Sequence, residues 1–271
     1  MSLLIAILLG IIQGVTEFLP VSSSGHLKLF QQLFGLHFHD ELLLFDLICH
    51  LGTLAALLIA LRHEIGQVLR IKKEIIPLLL IATLPLIPLS FCAKEAAKLY
   101  SSPALLGPGF LITALFLALG EWRRSRAPII GEEGAPNTPR RDALLIGLFQ
   151  AAALFPGVSR SGSTLSGASL LGWSRVKALH FSFLLAIPAI LGATLIQGVQ
   201  VIRAPTFGTI PWMAYLLAFL ASLFSGLLTA RWFLGRVGRG SLRPFAWYCL
   251  LLGLFTLIWI NCGNHLQGGL E

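Results

Sequence analysis

Two short polar runs stand in sequence that is otherwise almost purely apolar. The first is Gln13-Gly-Val-Thr-Glu17-Phe-Leu-Pro-Val-Ser22-Ser23-Ser24-Gly25-His26; the second is Pro156-Gly-Val-Ser159-Arg160-Ser161-Gly-Ser-Thr164. Gln13 and Glu17 are four residues apart, so on a helix they project from one face. A carboxylate inside an apolar segment is costly and marks a functional site with a partner; the plainer alternative is an interfacial pair. Ser22, Ser23 and Ser24 supply hydroxyls, and with Gly25 they form a backbone whose N–H groups can turn toward an anion. His26 can exchange a proton near neutral pH. In the second run a hydroxyl-rich turn opens a helix, where unpaired N–H groups and the helix dipole attract negative charge. Arg160 adds a guanidinium fork matched to phosphate oxygens. A small-residue packing motif explains the glycines and serines but leaves Arg160 unpaired in a low-dielectric interior, so anion binding is the better reading.

Brought together, Glu17, Ser22, Ser23, His26, Ser159, Arg160 and Thr164 form an anion cradle with candidate nucleophiles, a titratable group and a carboxylate. A carboxylate beside a phosphate site calls for a bridging divalent cation, Mg²⁺ or alternatively Ca²⁺. The set suits hydrolysis of a phosphoester or phosphoanhydride. Ser22, Ser23 and water all remain open as the nucleophile, and His26 as acid, base or phosphoryl acceptor. A pocket between membrane helices favours a lipid with a phosphorylated head group.

The elements that must position these groups are membrane helices. The 271 residues are 56% hydrophobic and 12% charged, with a mean hydropathy of +0.82; a soluble domain carries about 25% charged residues. Six stretches are long enough to cross a bilayer: about 42–61, 74–91, 104–120, 178–202, 209–234 and 245–262. Leu3–Phe18 and Ala143–Phe155 are too short and run into the two polar motifs, the pattern of re-entrant hairpins. The apolar N-terminus lacks a basic region and a cleavage site, so it is expected to be retained. The net charge of +8 sits in short loops, which signals topology rather than nucleic-acid binding.

The two motifs belong to related halves. A shift of 137 residues lays Gly10–Gly35 on Gly147–Gly172 without a gap, with nine of 26 positions identical: Gly10/Gly147, Gln13/Gln150, Phe18/Phe155, Val21/Val158, Ser22/Ser159, Ser24/Ser161, Gly25/Gly162, Leu33/Leu170 and Gly35/Gly172. The expected fold is an all-α integral membrane protein with an inverted-topology repeat: six transmembrane helices plus two re-entrant helical hairpins. Residues 1–122 form the first repeat, 123–141 a cytoplasmic linker and 142–271 the second. Three crossings per half invert the second copy, and the site falls where the broken helices meet. The loops at 62–73, 121–142, 173–178 and 231–243 hold 15 of the 20 basic residues, which places the linker in the cytoplasm and both termini outside.

The two motifs, with FDLICHLGTLAA at 45–56 and FSFLLAIPAILGA at 181–193, resemble the undecaprenyl-diphosphate phosphatase family associated with bacitracin resistance, over nearly the whole chain. The resemblance implies hydrolysis of the C55 isoprenoid diphosphate to its monophosphate at the outer, periplasmic face of a bacterial inner membrane, recycling the carrier lipid for peptidoglycan synthesis. It implies catalytic roles for Glu17, Ser23, His26 and Arg160, with Glu17 also a metal ligand. Substrate contacts are expected from Gln13, Ser22, Ser24, Ser159, Ser161 and Thr164. The expected partners are the polyprenyl diphosphate, membrane lipid and, as a homodimer, a second copy of the chain. Many members carry Glu where this chain has Gln13, whose neutral carbonyl would weaken metal affinity, and some carry an acidic residue at the position of His180. On architecture alone a transporter or flippase of a phosphorylated polyprenyl lipid is the rival.

Weaker candidates complete the reading. His37, His39, Asp40 and Glu41 have a metal-like composition but are expected in a solvated loop. Asp46 and His50, four apart at the head of a crossing helix, share a face that can line the pocket. Trp122, Trp173 and Trp212 near span ends read as interfacial anchors, and Cys49, Cys92, Cys249 and Cys262 as free thiols without metal-ligand spacing.

Overall fold

The computed structural model describes residues 1–36, 39–90, 102–126, 139–203, 210–237 and 240–267. His37, the side chains of His39, Asp40 and Glu41, and those of Cys92 and Cys262 lie outside the described set. The described elements are helical: α1 (Leu3–Phe18), α2 (Ser23–Leu33), α3 (His39–Ala60), α4 (Arg62–Arg70), α5 (Ile75–Thr83), α6 (Leu86–Ser90), α7 (Leu106–Arg126), α8 (Pro139–Ala151), α9 (Arg160–Leu170), α10 (Arg175–Arg203), α11 (Trp212–Val237) and α12 (Arg243–Gln267). Five helical stretches are long and apolar enough to cross a membrane: Leu42–Ala60, Pro103–Arg126, Arg175–Ile202, Trp212–Arg236 and Arg243–Ile260. The stretch expected as a sixth crossing, 74–91, forms the shorter α5 and α6. Pro85 lies between them, and a proline removes a backbone donor and clashes with the preceding turn.

Lipid is the solvent this surface is made for. Leu195, Leu228, Trp247, Leu251 and Ile258, all on helices long and apolar enough to cross a membrane, are exposed, as side chains that face lipid are. Inside, the rings of Phe18, Phe183, Phe233 and Phe245 pack in sequence at centroid distances of 5.6, 6.1 and 5.8 Å, tilted, stacked and edge-on in turn. Cys49 and Cys249 are buried free thiols. Trp122 and Trp212 are exposed as anchors should be. Trp173 instead donates from Nε1 to Asp142 at 2.9 Å and packs edge-on against Phe181.

Close helix approach depends on small residues. A Cβ added at Gly10 would lie 2.6 Å from the Ala218 carbonyl oxygen, and one at Gly52 would lie 2.6 Å from that of Phe219. These positions seat α1 and α3 against α11, where membrane helices gain from backbone proximity. Gly147, the repeat equivalent of Gly10, sits the same way on α5, with its added Cβ 2.4 Å from the Ala82 carbonyl oxygen.

The equivalence is closest in α2 and α9, which have the same length and boundaries offset by 137 residues. Each is capped by a serine whose Oγ accepts the N–H of the third helical residue: Ser22 from Gly25 at 3.3 Å, Ser159 from Gly162 at 3.0 Å. Each ends on a glycine in the left-handed region, Gly35 at φ 68° and Gly172 at φ 85°, the conformation that closes a helix C-terminus and that other residues resist.

Candidate active site

Glu17 is the centre of the site. It lies in the last turn of α1 and is 7% exposed, so its charge needs partners to exist there. Arg160, the first residue of α9, brings its guanidinium NH2 to 2.8 Å from Oε1. Ser23, the first residue of α2, donates its hydroxyl to Oε2 at 2.6 Å. Gln13, one turn back on α1, donates from Nε2 to Oε2 at 2.9 Å. The same amide nitrogen lies 2.9 Å from His50 Nδ1, and with two hydrogens it can serve both. His50 Nδ1 is 3.6 Å from Glu17 Oε2. Ser23 and Arg160 are equivalent positions of the 137-residue repeat, so both helix starts aim their first side chain at one carboxylate.

The remaining expected residues support this centre from behind. Ser22 caps α2 and is the one non-glycine with positive φ, 71°, among the described residues. His26 is buried with both ring nitrogens engaged: Nδ1 with the Ser22 carbonyl at 2.7 Å and Nε2 with the Tyr248 hydroxyl at 2.7 Å. Ser161 donates to the Leu19 carbonyl at 2.9 Å, tying the second turn to the first. Ser159 caps α9, and its backbone N–H donates to Thr113 at 2.9 Å. Thr164 turns its hydroxyl to the Arg160 carbonyl at 3.0 Å and to Ser182 at 2.6 Å. Ser24 is half-buried. Direct contact with Glu17 thus falls to Gln13, Ser23 and Arg160, with His50 at the margin; Asp46 accepts from Gln31 at 2.6 Å.

Thr113, Ser182 and Tyr248 were not among the residues read from sequence. The signal for Tyr248 was present, because a phenol in an apolar span needs a hydrogen-bond partner.

Chemically the centre holds a hydroxyl within proton-transfer reach of a carboxylate, and a guanidinium at a helix start whose first N–H groups have no partner inside the helix. Gln13 Oε1 is buried without a hydrogen-bond partner, an acceptor that fits a cation or a donor carried by a bound molecule. Among the described residues no three His, Cys, Asp or Glu side chains group as a metal site. A Mg²⁺ ion here would take Glu17 and Gln13 oxygens and complete its shell from phosphate and water, its usual preference.

Residues 6–255 match the family model described as bacitracin resistance protein BacA. The chain belongs to that family. Undecaprenyl-diphosphatase of Protochlamydia amoebophila is 40% identical over 258 residues, covering 94% of this chain and 98% of the relative. The protein of the same name from Carboxydothermus hydrogenoformans is 40% identical over 256 residues, covering 93% and 95%. That from Bacteroides fragilis is 37% identical over 264 residues, covering 93% and 96%. The BacA match spans both polar turns and every residue that touches Glu17.

Proposed function

We propose that this chain is a membrane phosphatase that hydrolyses undecaprenyl diphosphate to undecaprenyl phosphate and inorganic phosphate, returning the carrier lipid to cell-wall synthesis. The convergence of Ser23 and Arg160 on Glu17 carries this reading, in a BacA-family chain whose relatives are named undecaprenyl-diphosphatase. The substrate's terminal phosphate sits at the start of α9, its oxygens on Arg160 and the free N–H groups of the first turn. Arg160 then turns from Glu17 to the phosphate, and Glu17 takes the proton of Ser23. The Ser23 oxygen attacks the terminal phosphorus, the anhydride P–O bond breaks, and undecaprenyl phosphate leaves with the electron pair and the proton that Glu17 had taken. Water then loses its proton to the freed carboxylate and cleaves the phosphoserine, and Glu17 returns that proton to the Ser23 oxygen as inorganic phosphate leaves. The 2.6 Å contact of Ser23 with Glu17 favours Ser23 over Ser22, whose hydroxyl caps α2. A Mg²⁺ ion held by Glu17 and Gln13 would neutralise phosphate charge.

The surrounding architecture is two inverted repeats, 1–122 and 142–271, joined by the linker at 123–141. In this reading α1–α2 and α8–α9 are the re-entrant hairpins, and α5 with α6 makes the sixth crossing. The matched caps and glycine ends of α2 and α9 support it. The basic loops support a linker in the cytoplasm of a bacterial inner membrane, with both termini and the mouth of the site on the periplasmic face.

Purified protein in detergent is expected to release inorganic phosphate from a C55 polyprenyl diphosphate in the presence of Mg²⁺. Absence of release, or full release by Arg160→Ala, refutes the assignment.

A further inference from the structure

We propose that Tyr248 is a positioning residue for this hydrolysis: its hydroxyl fixes His26, and through His26 it holds the Ser22–Ser23 turn that keeps Ser23 on Glu17. The inference rests on the phosphatase reading above and adds a residue from the last helix to the site.

The hydrogen-bond directions follow from what each atom can do. The Ser22 carbonyl only accepts, so His26 Nδ1 carries the hydrogen of that 2.7 Å bond. The neutral ring then has only a lone pair at Nε2, and the Tyr248 hydroxyl 2.7 Å away donates to it. The two rings lie nearly parallel, at 10° and a centroid distance of 5.6 Å, while Phe110 meets His26 edge-on at 5.4 Å. His26 therefore has no nitrogen left to offer a substrate and acts as a strut between α12 and the turn. The neighbouring Cys249 is 3.7 Å from the Pro20 carbonyl, so α12 grips the turn both before and after Ser22.

The turn needs that grip. Ser22 sits at φ 71°, and a non-glycine residue stays there only when its surroundings over-determine it. Its carbonyl is held by the backbone N–H of His26 at 3.1 Å as well as by the ring. Ser23 follows directly and places its hydroxyl 2.6 Å from Glu17. Release of the ring loosens the carbonyl, and the freedom passes to Ser23. Tyr248 is 45% exposed in a helix whose neighbours Trp247 and Leu251 face lipid, so packing alone does not require a phenol there.

Tyr248→Phe keeps the ring and removes one hydroxyl. With C55 polyprenyl diphosphate in detergent, kcat is expected to fall about tenfold, the worth of one hydrogen bond, while KM stays within about twofold. The melting temperature is expected to fall by only a few degrees, at about 2–4 °C per kcal/mol for the lost bond, with the enzyme fully folded at the assay temperature. His26→Asn alone and His26→Asn/Tyr248→Phe are expected to have the same kcat, because the phenol acts only through the imidazole. A Tyr248→Phe enzyme with wild-type kcat overturns the proposal. So do multiplying losses in the double variant, or a raised KM at unchanged kcat. Wild-type protein that releases no phosphate overturns the hydrolysis reading itself, and this inference with it.

Discussion

The turn before α9 and the turn before α2 descend from one sequence pattern, yet they place their left-handed residue at different positions. In the second turn Gly157 has φ 83° and Ser159 an ordinary φ of −78°. In the first, Pro20 occupies the position equivalent to Gly157, and a proline ring fixes φ near −65°. The reversal of the chain then falls on Ser22, at φ 71°. Glycine takes that conformation freely, whereas serine takes it at a cost of about 1–2 kcal/mol. The relaxed turn presents Arg160 and the strained one presents Ser23, at equivalent positions and to the same carboxylate. The copy that holds charge rests on an unstrained backbone; the copy that presents the hydroxyl is braced by His26 and Tyr248.

The largest test of this comparison is removal of the shared carboxylate. Glu17→Ala is expected to lower kcat/KM by about a thousandfold or more, since proton transfer and electrostatic positioning are lost together. Arg160→Ala is expected to match it, and the double variant to be little worse than either single one, as for groups that act as a unit. Phosphate-release kinetics of the three variants decide this; multiplying losses would mean that the two turns act separately.

Next comes Gly157→Ala. Alanine at φ 83° costs about 1–2 kcal/mol, and its Cβ would lie 2.5 Å from the Leu106 carbonyl oxygen, adding overpacking of about 1–3 kcal/mol. The variant is expected to fold poorly or melt several degrees lower in detergent. A melting temperature equal to wild type would show that the second turn does not depend on its glycine.

A smaller effect is expected from Gln13→Glu. Chelation of divalent ions is expected to abolish phosphate release, and the variant to reach half-activity at a roughly fivefold lower Mg²⁺ concentration, because a second carboxylate strengthens an oxygen site for this ion. An unchanged Mg²⁺ titration would remove Gln13 from the cation site.

Much of this was legible in the chain. The 137-residue offset carried the matched starts of α2 and α9, because serine caps and left-handed glycines are encoded by residue type at fixed positions. The pairing of Gln13 with Glu17 followed from helical spacing. What stayed hidden were contacts between distant elements. Tyr248 calls for a hydrogen-bond partner by its chemistry, but that the partner is His26 shows only once α12 is seen beside α2. Likewise Glu121 and Arg175, which form a buried ion pair joined by Ser241, read as loop charges, because nothing in a single sequence says which loops meet. The break between α5 and α6 at Pro85 was hidden for a related reason, because the effect of a proline on a helix depends on the packing around it.

The finest test compares one substitution at two equivalent positions. Serine to glycine at either helix cap loses a few tenths of a kcal/mol of capping and about 0.4–1 kcal/mol through the greater freedom of the unfolded chain. Those losses are common to Ser22→Gly and Ser159→Gly and cancel in the difference, while Ser159→Gly also loses the 3.2 Å contact with the Ser161 hydroxyl. Only Ser22 also sheds backbone strain, about 1–2 kcal/mol. Ser22→Gly is therefore expected to melt about 3 °C above Ser159→Gly in the same detergent, at the usual 2–4 °C per kcal/mol for chains approaching this length. Its kcat is expected to fall even so, because a glycine in that turn no longer restricts where Ser23 points. Equal melting temperatures would mean that the left-handed serine is unstrained, and that the bracing by His26 and Tyr248 answers no local demand of the backbone.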